Sequence, residues 1–236
     1  MIAEISDMSA TPRGTGLVAA AAAASVAVGV WLLRRHLVRS SAGGKQSPFH
    51  VPPVDAPTLY VGKLRDGQTA VRVRPAFPGV DGPDGGTVFR FVELLADDLD
   101  SRPSLHNSEQ DLSRDLAAGK ISALLVETIA TAGSAVVAAA VFYEAYSTWD
   151  GPFLFLEDIV VLPEFRGQGI GTILFKELAA LAARRGYRRF QWESLASNSA
   201  ANKWYSGEII HAKRKSEIVT WRLEESGMSR LSLSPS

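Results

Sequence analysis

The chain has 236 residues, enough for one ordinary domain with appended segments. Its 25 Lys and Arg balance its 25 Asp and Glu, so the charge gives no argument for nucleic acid as the main partner, and the lack of cysteine excludes disulfides, thiolate catalysis and cysteine-held metals. His36, His50, His106 and His211 are scattered and form no metal-ligand spacing, so no metal is expected.

Residues 14–33, GTGLVAAAAAASVAVGVWLL, carry no charge. A helix of this length spans about 30 Å, the thickness of the bilayer hydrocarbon. Arg34, Arg35, His36 and Arg39 follow at once, and Trp31 stands where an interfacial aromatic belongs. The tail at 1–13 carries Glu4, Asp7 and Arg13 instead of the basic flank of a secretory signal. Two readings stay open. In one, the run is a retained single-pass anchor, and its trailing arginines keep the rest of the chain cytosolic. In the other, it is a targeting segment that is removed, leaving a cytoplasmic or organellar protein. Residues 34–68 are rich in Ser, Gly and Pro without apolar periodicity and read as a linker. The folded domain is expected over residues 69–230, with a short tail at 231–236.

The elements of that domain follow from periodicity. Residues 69–77, TAVRVRPAF, alternate as a strand. Phe91, Leu94, Leu95 and Leu99 fall on one face of a helix over 88–99. Asn107 or Ser108 caps a second helix, with Glu109 and Asp111 in its first turn. Residues 121–130 and 135–146 form a hairpin, and 153–162, FLFLEDIVVL, form an apolar strand broken by two acids. A long helix over 170–185 ends at Gly186. A strand at 188–194, a short helix at 199–205 and a last strand at 217–223 complete a mixed α/β domain.

The most specific segment is VLPEFRGQGIG at residues 161–171. A strand ends, a glycine-rich turn follows and a helix begins. Gly167, Gly169 and Gly171 allow a tight turn whose N–H groups converge, and the helix N-terminus adds partial positive charge. Arg166 can supply a fixed charge at the rim. No Lys-Ser/Thr follows the glycines, so this is no nucleotide P-loop, and its place after the fourth strand does not suit a dinucleotide fold.

The R-x-x-G-x-G spacing resembles the acetyl-CoA signature of the GNAT superfamily. The match extends to the diamine acetyltransferase branch, which acts on spermidine/spermine or thialysine. It rests on Trp149-Asp-Gly, Leu156-Glu-Asp, the run from Arg166 to Gly171, Asn198 and Trp204-Tyr205, with VRVRPA at 71–76 and SEQDL at 108–112. The resemblance covers about residues 69–223. It implies a mixed, mostly antiparallel sheet flanked by helices, here preceded by a hydrophobic N-terminal helix. It implies acetyl-CoA as acetyl donor, a small-molecule amine as acceptor and a homodimer. Backbone groups of Ile159, Val160 and Val161 would hold the pantetheine arm. Arg166, Gly167, Gln168, Gly169, Ile170, Gly171 and Thr172 would hold the pyrophosphate, and Asn198, Ser199, Ala200 and Ala201 would meet the cofactor from the next loop. Glu157 would face the amine and Tyr205 would be the general acid. Asp98 and Trp192 join Glu157 as expected substrate contacts. The chain departs from the family after Tyr205, where SGEIIHAKRK replaces a basic stretch ending in glycine.

The residues suit that chemistry. An amine with a pKa near 10 arrives charged, and a carboxylate both attracts it and takes its proton. Glu157 and Asp158 are adjacent on a strand, so they are expected on opposite faces, with Glu157 toward the cleft. A phenol at Tyr205 can protonate a departing thiolate, and a backbone N–H near Val160 can hold the oxyanion. Asp97, Asp98 and Asp100 end a helix against its dipole, either as a rim for a cationic substrate or as a solvated helix end. Three functions fit: acetylation of a small diamine, polyamine or lysine-like amine; acetylation of a protein or peptide amine; or an anchored acyl-CoA-binding module with little activity.

Overall fold

The computed structural model describes residues 58–77, 84–130 and 133–233. Six strands form one sheet in sequence order. They are β1 (Tyr60–Lys63), β2 (Ala70–Pro75), β3 (Ser122–Thr128), β4 (Val136–Ser147), β5 (Gly151–Val161) and β6 (Phe190–Trp192). Neighbours pair antiparallel except β5 and β6, which run parallel. The helices are α1 (Gly85–Asp98), α2 (Glu109–Ala117), α3 (Ile170–Arg184), α4 (Ser199–Ser206) and α5 (Glu225–Leu233).

The alternation in β2 is visible in its burial. Val71 and Val73 are fully buried while Arg72 and Arg74 lie between them on the other face. Val71 and Val73 join Leu124, Leu154 and Leu156 beneath Ile170, Leu174 and Leu178 of α3. The opposite face packs Leu125, Ala139 and Val160 against Val88 and Phe91 of α1 and Leu112 and Leu116 of α2. The sheet therefore lies between two helical layers. Ser108 caps α2 through a capping box: its hydroxyl accepts from the Asp111 N–H at 3.2 Å, and the Asp111 carboxylate accepts from the Ser108 N–H at 3.2 Å.

The arginines of β2 are paired with acids. Arg74 donates to Asp84 at 2.6 and 2.9 Å and to Glu127 at 2.6 Å, and Arg72 donates to Glu127 at 2.7 Å. Asp84 also accepts from the Phe77 N–H at 2.8 Å, and its own carbonyl receives the Val88 N–H. This network ties β2 and β3 to the start of α1.

Two expectations are corrected. The stretch read as linker contains β1, which pairs with β2 from Tyr60↔Val73 to Lys63↔Ala70. Four residues are too few for alternation to register against a Ser-, Gly- and Pro-rich background. Residues 217–223, expected as a strand, form none. Ile218, Val219, Trp221 and Leu223 are exposed. Alternation supplies the side-chain pattern of a strand, yet a strand needs a partner edge for its hydrogen bonds. The chain instead turns helical at Glu225. No helix among the described residues is long and apolar enough to cross a membrane, and the run at 14–33 lies outside them.

Candidate active site

The sheet is split toward one edge, where β5 and the terminal strand β6 part. Their parallel pairing runs only from Leu154↔Phe190 to Leu156↔Trp192, while β5 continues to Val161. On its other edge β5 stays paired, with Ile159, Val160 and Val161 opposite Ala140, Ala139 and Ala138. The β6-side edge of residues 157–161 thus has no strand partner among the described residues. Its backbone groups are available to an extended, amide-bearing ligand.

The split begins at a β-bulge. Val141 pairs with Asp158 and Phe142 with Leu156, so Glu157 is the extra residue. Alternation therefore breaks here. Leu154 and Leu156 pack toward α3, but beyond the bulge it is Ile159 and Val161 that do so, while Val160 packs toward α1 and α2. The even-numbered side chains before the bulge and the odd-numbered ones after it share a face. This corrects the expectation that Glu157 and Asp158 point to opposite faces: the extra residue places both on the α1/α2 side, close enough for their charges to interact.

Burial pushes the Glu157 carboxyl up to about 7, with the Asp158 and Glu193 carboxylates adding to the rise and the Tyr143 hydroxyl opposing it. Burial likewise pushes Asp158 up to about 6. Oε2 of Glu157 is closed to solvent and has no hydrogen-bond partner among the described residues. A buried carboxylate oxygen without a partner is rare and points to a missing cation or donor. Tyr143, stacked on Phe155 with 5.1 Å between ring centroids, and Glu193 beyond β6 complete this acidic face. Neither stood out in the sequence, because only the bulge and the split bring them to Glu157.

Tyr205 lies on the other side of the sheet. Its ring packs against Trp192 at 5.3 Å, Phe175 at 5.7 Å and Trp204 at 5.1 Å between centroids. Burial raises its phenol, so the hydroxyl stays protonated and able to donate. Trp192, expected to touch substrate, belongs to this aromatic cluster, edge-on to Phe175 at 4.8 Å. Glu157 and Tyr205 thus lie on opposite faces of the sheet, with Tyr205 against Trp192 of β6.

The glycine turn stands at the end of β5. Gly167 and Gly169 have φ of +76° and +91°, which side chains rarely adopt. A Cβ on Gly167 would meet nothing within 4 Å, so the space over the turn is open. A Cβ on Gly171 would come 3.3 Å from the Trp204 ring, so this glycine lets α4 approach α3. The N–H of Ile173 makes a helical bond to the Gly169 carbonyl at 3.1 Å, and the amides ahead of it, at Ile170, Gly171 and Thr172, face the turn as orphan donors. That is a cradle for an anion, and it fits a pyrophosphate.

The remaining expected contacts fall into two groups. Asn198 caps α4, its side-chain oxygen accepting from the Ala201 N–H at 3.2 Å, which sets Ser199, Ala200 and Ala201 in the first turn of that helix. Arg166, by contrast, is turned back: its Nε donates to the Val161 carbonyl at 2.9 Å and its Nη2 pairs with Asp98. Arg166 therefore fastens the turn to β5 and to the end of α1. Asp98, expected at a cationic rim, spends its carboxylate on that pair.

The profile of the Acetyltransferase (GNAT) family matches residues 91–207. The chain is 33% identical over 157 residues to thialysine N-epsilon-acetyltransferase of Mus musculus, covering 63% of this chain and 91% of that protein. In fold it is similar to the integron cassette protein VCH_CASS6 of V. cholerae, with a TM-score of 0.53 at 23% identity over 70% of this chain and 98% of that one. It is also similar to an aminoglycoside N-acetyltransferase solved in complex with CoA, with a TM-score of 0.51 at 15% identity over 65% and 95% of the two chains. The split strand, the glycine cradle and a relative matched over nine-tenths of its length agree: the chain belongs to the GNAT family and is an acetyltransferase.

Proposed function

We propose that this protein acetylates a primary amine of a small diamine, polyamine or lysine-like molecule. The observation that carries the reading is Glu157, lodged in the bulge with an unsatisfied buried oxygen and a carboxyl pushed up to about 7. A group with this affinity for protons suits the capture and deprotonation of an ammonium near neutral pH. Glu193 and Asp158 add negative charge on the same side, which favours a cationic acceptor over a neutral one. The relatives named as thialysine N-epsilon-acetyltransferases support a lysine-like amine.

Acetyl-CoA, when bound, supplies the acetyl thioester. The turn from Gly167 to Thr172 would hold its pyrophosphate, and the outward backbone groups of Ile159 and Val161, on either side of Val160, its pantetheine arm, with Asn198 and Ser199 to Ala201 alongside. Glu157 takes the proton of the incoming ammonium, directly or through water. Beside Val160, whose own N–H faces β4, the outward N–H of Ile159 or Val161 is offered to the charge that develops on the carbonyl oxygen. The freed amine attacks the thioester carbonyl, the C–S bond breaks, and Tyr205 gives its phenolic proton to the departing sulfur. Tyr205 is then reprotonated, through solvent, by the second proton the nitrogen sheds as it becomes an amide.

Transfer of isotope-labelled acetyl to a panel of diamines, polyamines, lysine analogues, peptides and neutral amines tests this. Transfer confined to small cationic amines is expected. Transfer only to peptides, or cofactor binding without transfer to any amine, overturns it.

A further inference from the structure

The turn between β1 and β2 brings two cations against the glycine turn. Arg65 donates its backbone N–H to the Gln168 carbonyl at 3.3 Å and its Nη1 to the Gly167 carbonyl at 3.4 Å. Its Nε would lie 3.4 Å from a Cβ built on Gly169. Lys63 and Arg65 line a cavity of about 210 Å³ with Tyr60, Gln168, Gly169 and Thr172. Both β1 and this turn precede the residues matched by the family profile.

Charge and peptide geometry together say what the cavity takes. Arg166, the arginine of the motif, is committed to Asp98 and to the Val161 carbonyl. Among the described residues, Lys63 and Arg65 are in no ion pair. Asp66 beside them accepts from the Gln68 and Thr69 N–H groups, each at 2.9 Å, and from the Thr69 hydroxyl at 2.6 Å, so its carboxylate is used to close the turn. In a trans peptide the carbonyl and the following N–H point in opposite directions. With the Gly167 and Gln168 carbonyls turned toward Arg65, the N–H groups of Gln168 and Gly169 point to the far side. The Gln168 and Gly169 N–H groups thus serve the cradle from the side away from Arg65, which leaves Lys63 and Arg65 for a further anionic group of the same ligand.

We propose that Lys63 and Arg65 bind the 3′-phosphate of the coenzyme A nucleotide, clasping the cofactor's distal end while the cradle holds its pyrophosphate. This rests on the acetyl-CoA reading of the site. The chemistry matches: a doubly charged phosphate monoester takes a guanidinium and an ammonium, and both line this cavity.

Calorimetric titration with CoA and with 3′-dephospho-CoA separates the possibilities. The wild-type protein is expected to bind CoA about tenfold or more tightly than the dephospho form, the scale of one charge-assisted hydrogen bond. The double variant Lys63→Ala/Arg65→Ala should lose about tenfold for CoA and leave dephospho-CoA unchanged, and Arg65→Lys should recover part of the loss. Unchanged CoA affinity in the double variant, or equal loss for both ligands, overturns the assignment, the second outcome meaning that Arg65 only shapes the turn. Wild-type protein that binds neither ligand overturns the acetyl-CoA reading itself, a result distinct from either. Thermal melting of the variants without ligand controls for folding.

Discussion

Two side chains carry the proposed chemistry, and their ionisation makes opposite demands. Glu157 accepts a proton only as a carboxylate, and its carboxyl titrates at about 7. The kcat/KM for a small amine should therefore rise as pH climbs through about 7, and Glu157→Gln should remove that limb of the profile. The Gln variant should be most impaired near neutral pH and less so at high pH, where the amine is already uncharged. The same shift has a consequence for stability. The folded-state value lies above the ordinary 4.5, so folding favours the protonated form and stability falls as pH rises from 4.5 toward 7. Melting temperatures of the wild-type protein and Glu157→Gln, compared at pH 5 and pH 8, should show the smaller drop in the variant. Tyr205 must instead keep its proton, which its buried position favours. Tyr205→Phe should lower turnover about 100-fold while calorimetric CoA affinity stays unchanged. Near-native turnover in that variant would assign the proton to water.

Among the elements, the glycine turn and the β2 network are the sensitive points. Gly169 sits at φ +91° with Arg65 against it. A β-branched side chain is strained in that backbone region and would meet Arg65 as well. Gly169→Val should weaken CoA binding by at least about 1.5 kcal/mol in a protein that still folds. The Arg74 network lies away from the split and bears on stability alone. Side-chain exposure is 12% for Arg74, 4% for Asp84 and 9% for Glu127. Arg74→Ala leaves the buried Asp84 without a cation and Glu127 with Arg72 alone. Urea unfolding should register a loss of about 3–5 kcal/mol, the usual cost of breaking a buried pair by removing one partner.

At the scale of the whole molecule, the N-terminal anchor remains a proposal from sequence. The uncharged run at 14–33 with Arg34, Arg35 and Arg39 behind it predicts a single pass with the acetyltransferase domain in the cytosol. Tagged full-length protein should stay with carbonate-washed membranes, and its C-terminal domain should be digested by protease added from the cytosolic side. A shortened, carbonate-soluble product shielded from protease would assign the run to targeting instead. The β1–β2 pairing brings the folded unit back to Tyr60. Any tether would therefore be shorter than composition alone suggested, and the acetyltransferase domain closer to a bilayer.

The sequence by itself determined whatever depends on neighbours along the chain. The glycine turn, the long α3, the capped α2 and the buried alternation of β2 follow from local conformational preference and periodicity, and each was legible in order. The motif VLPEFRGQGIG also determined the family, because its backbone demands are local. What only the tertiary structure decided depends on pairing between distant segments. Glu157 and Asp158 look like opposite-facing neighbours until Val141 and Phe142 of β4 pair around Glu157 and leave it extra. Residues 217–223 alternate as a strand should, yet they pair with no edge among the described residues. Arg166 looks like a phosphate ligand until α1 delivers Asp98 to it, and Arg65 looks like a linker residue until β1 sets it on the glycine turn. Backbone hydrogen bonds and ion pairs are satisfied in three dimensions, so a side chain's free valence cannot be read from its own stretch of sequence.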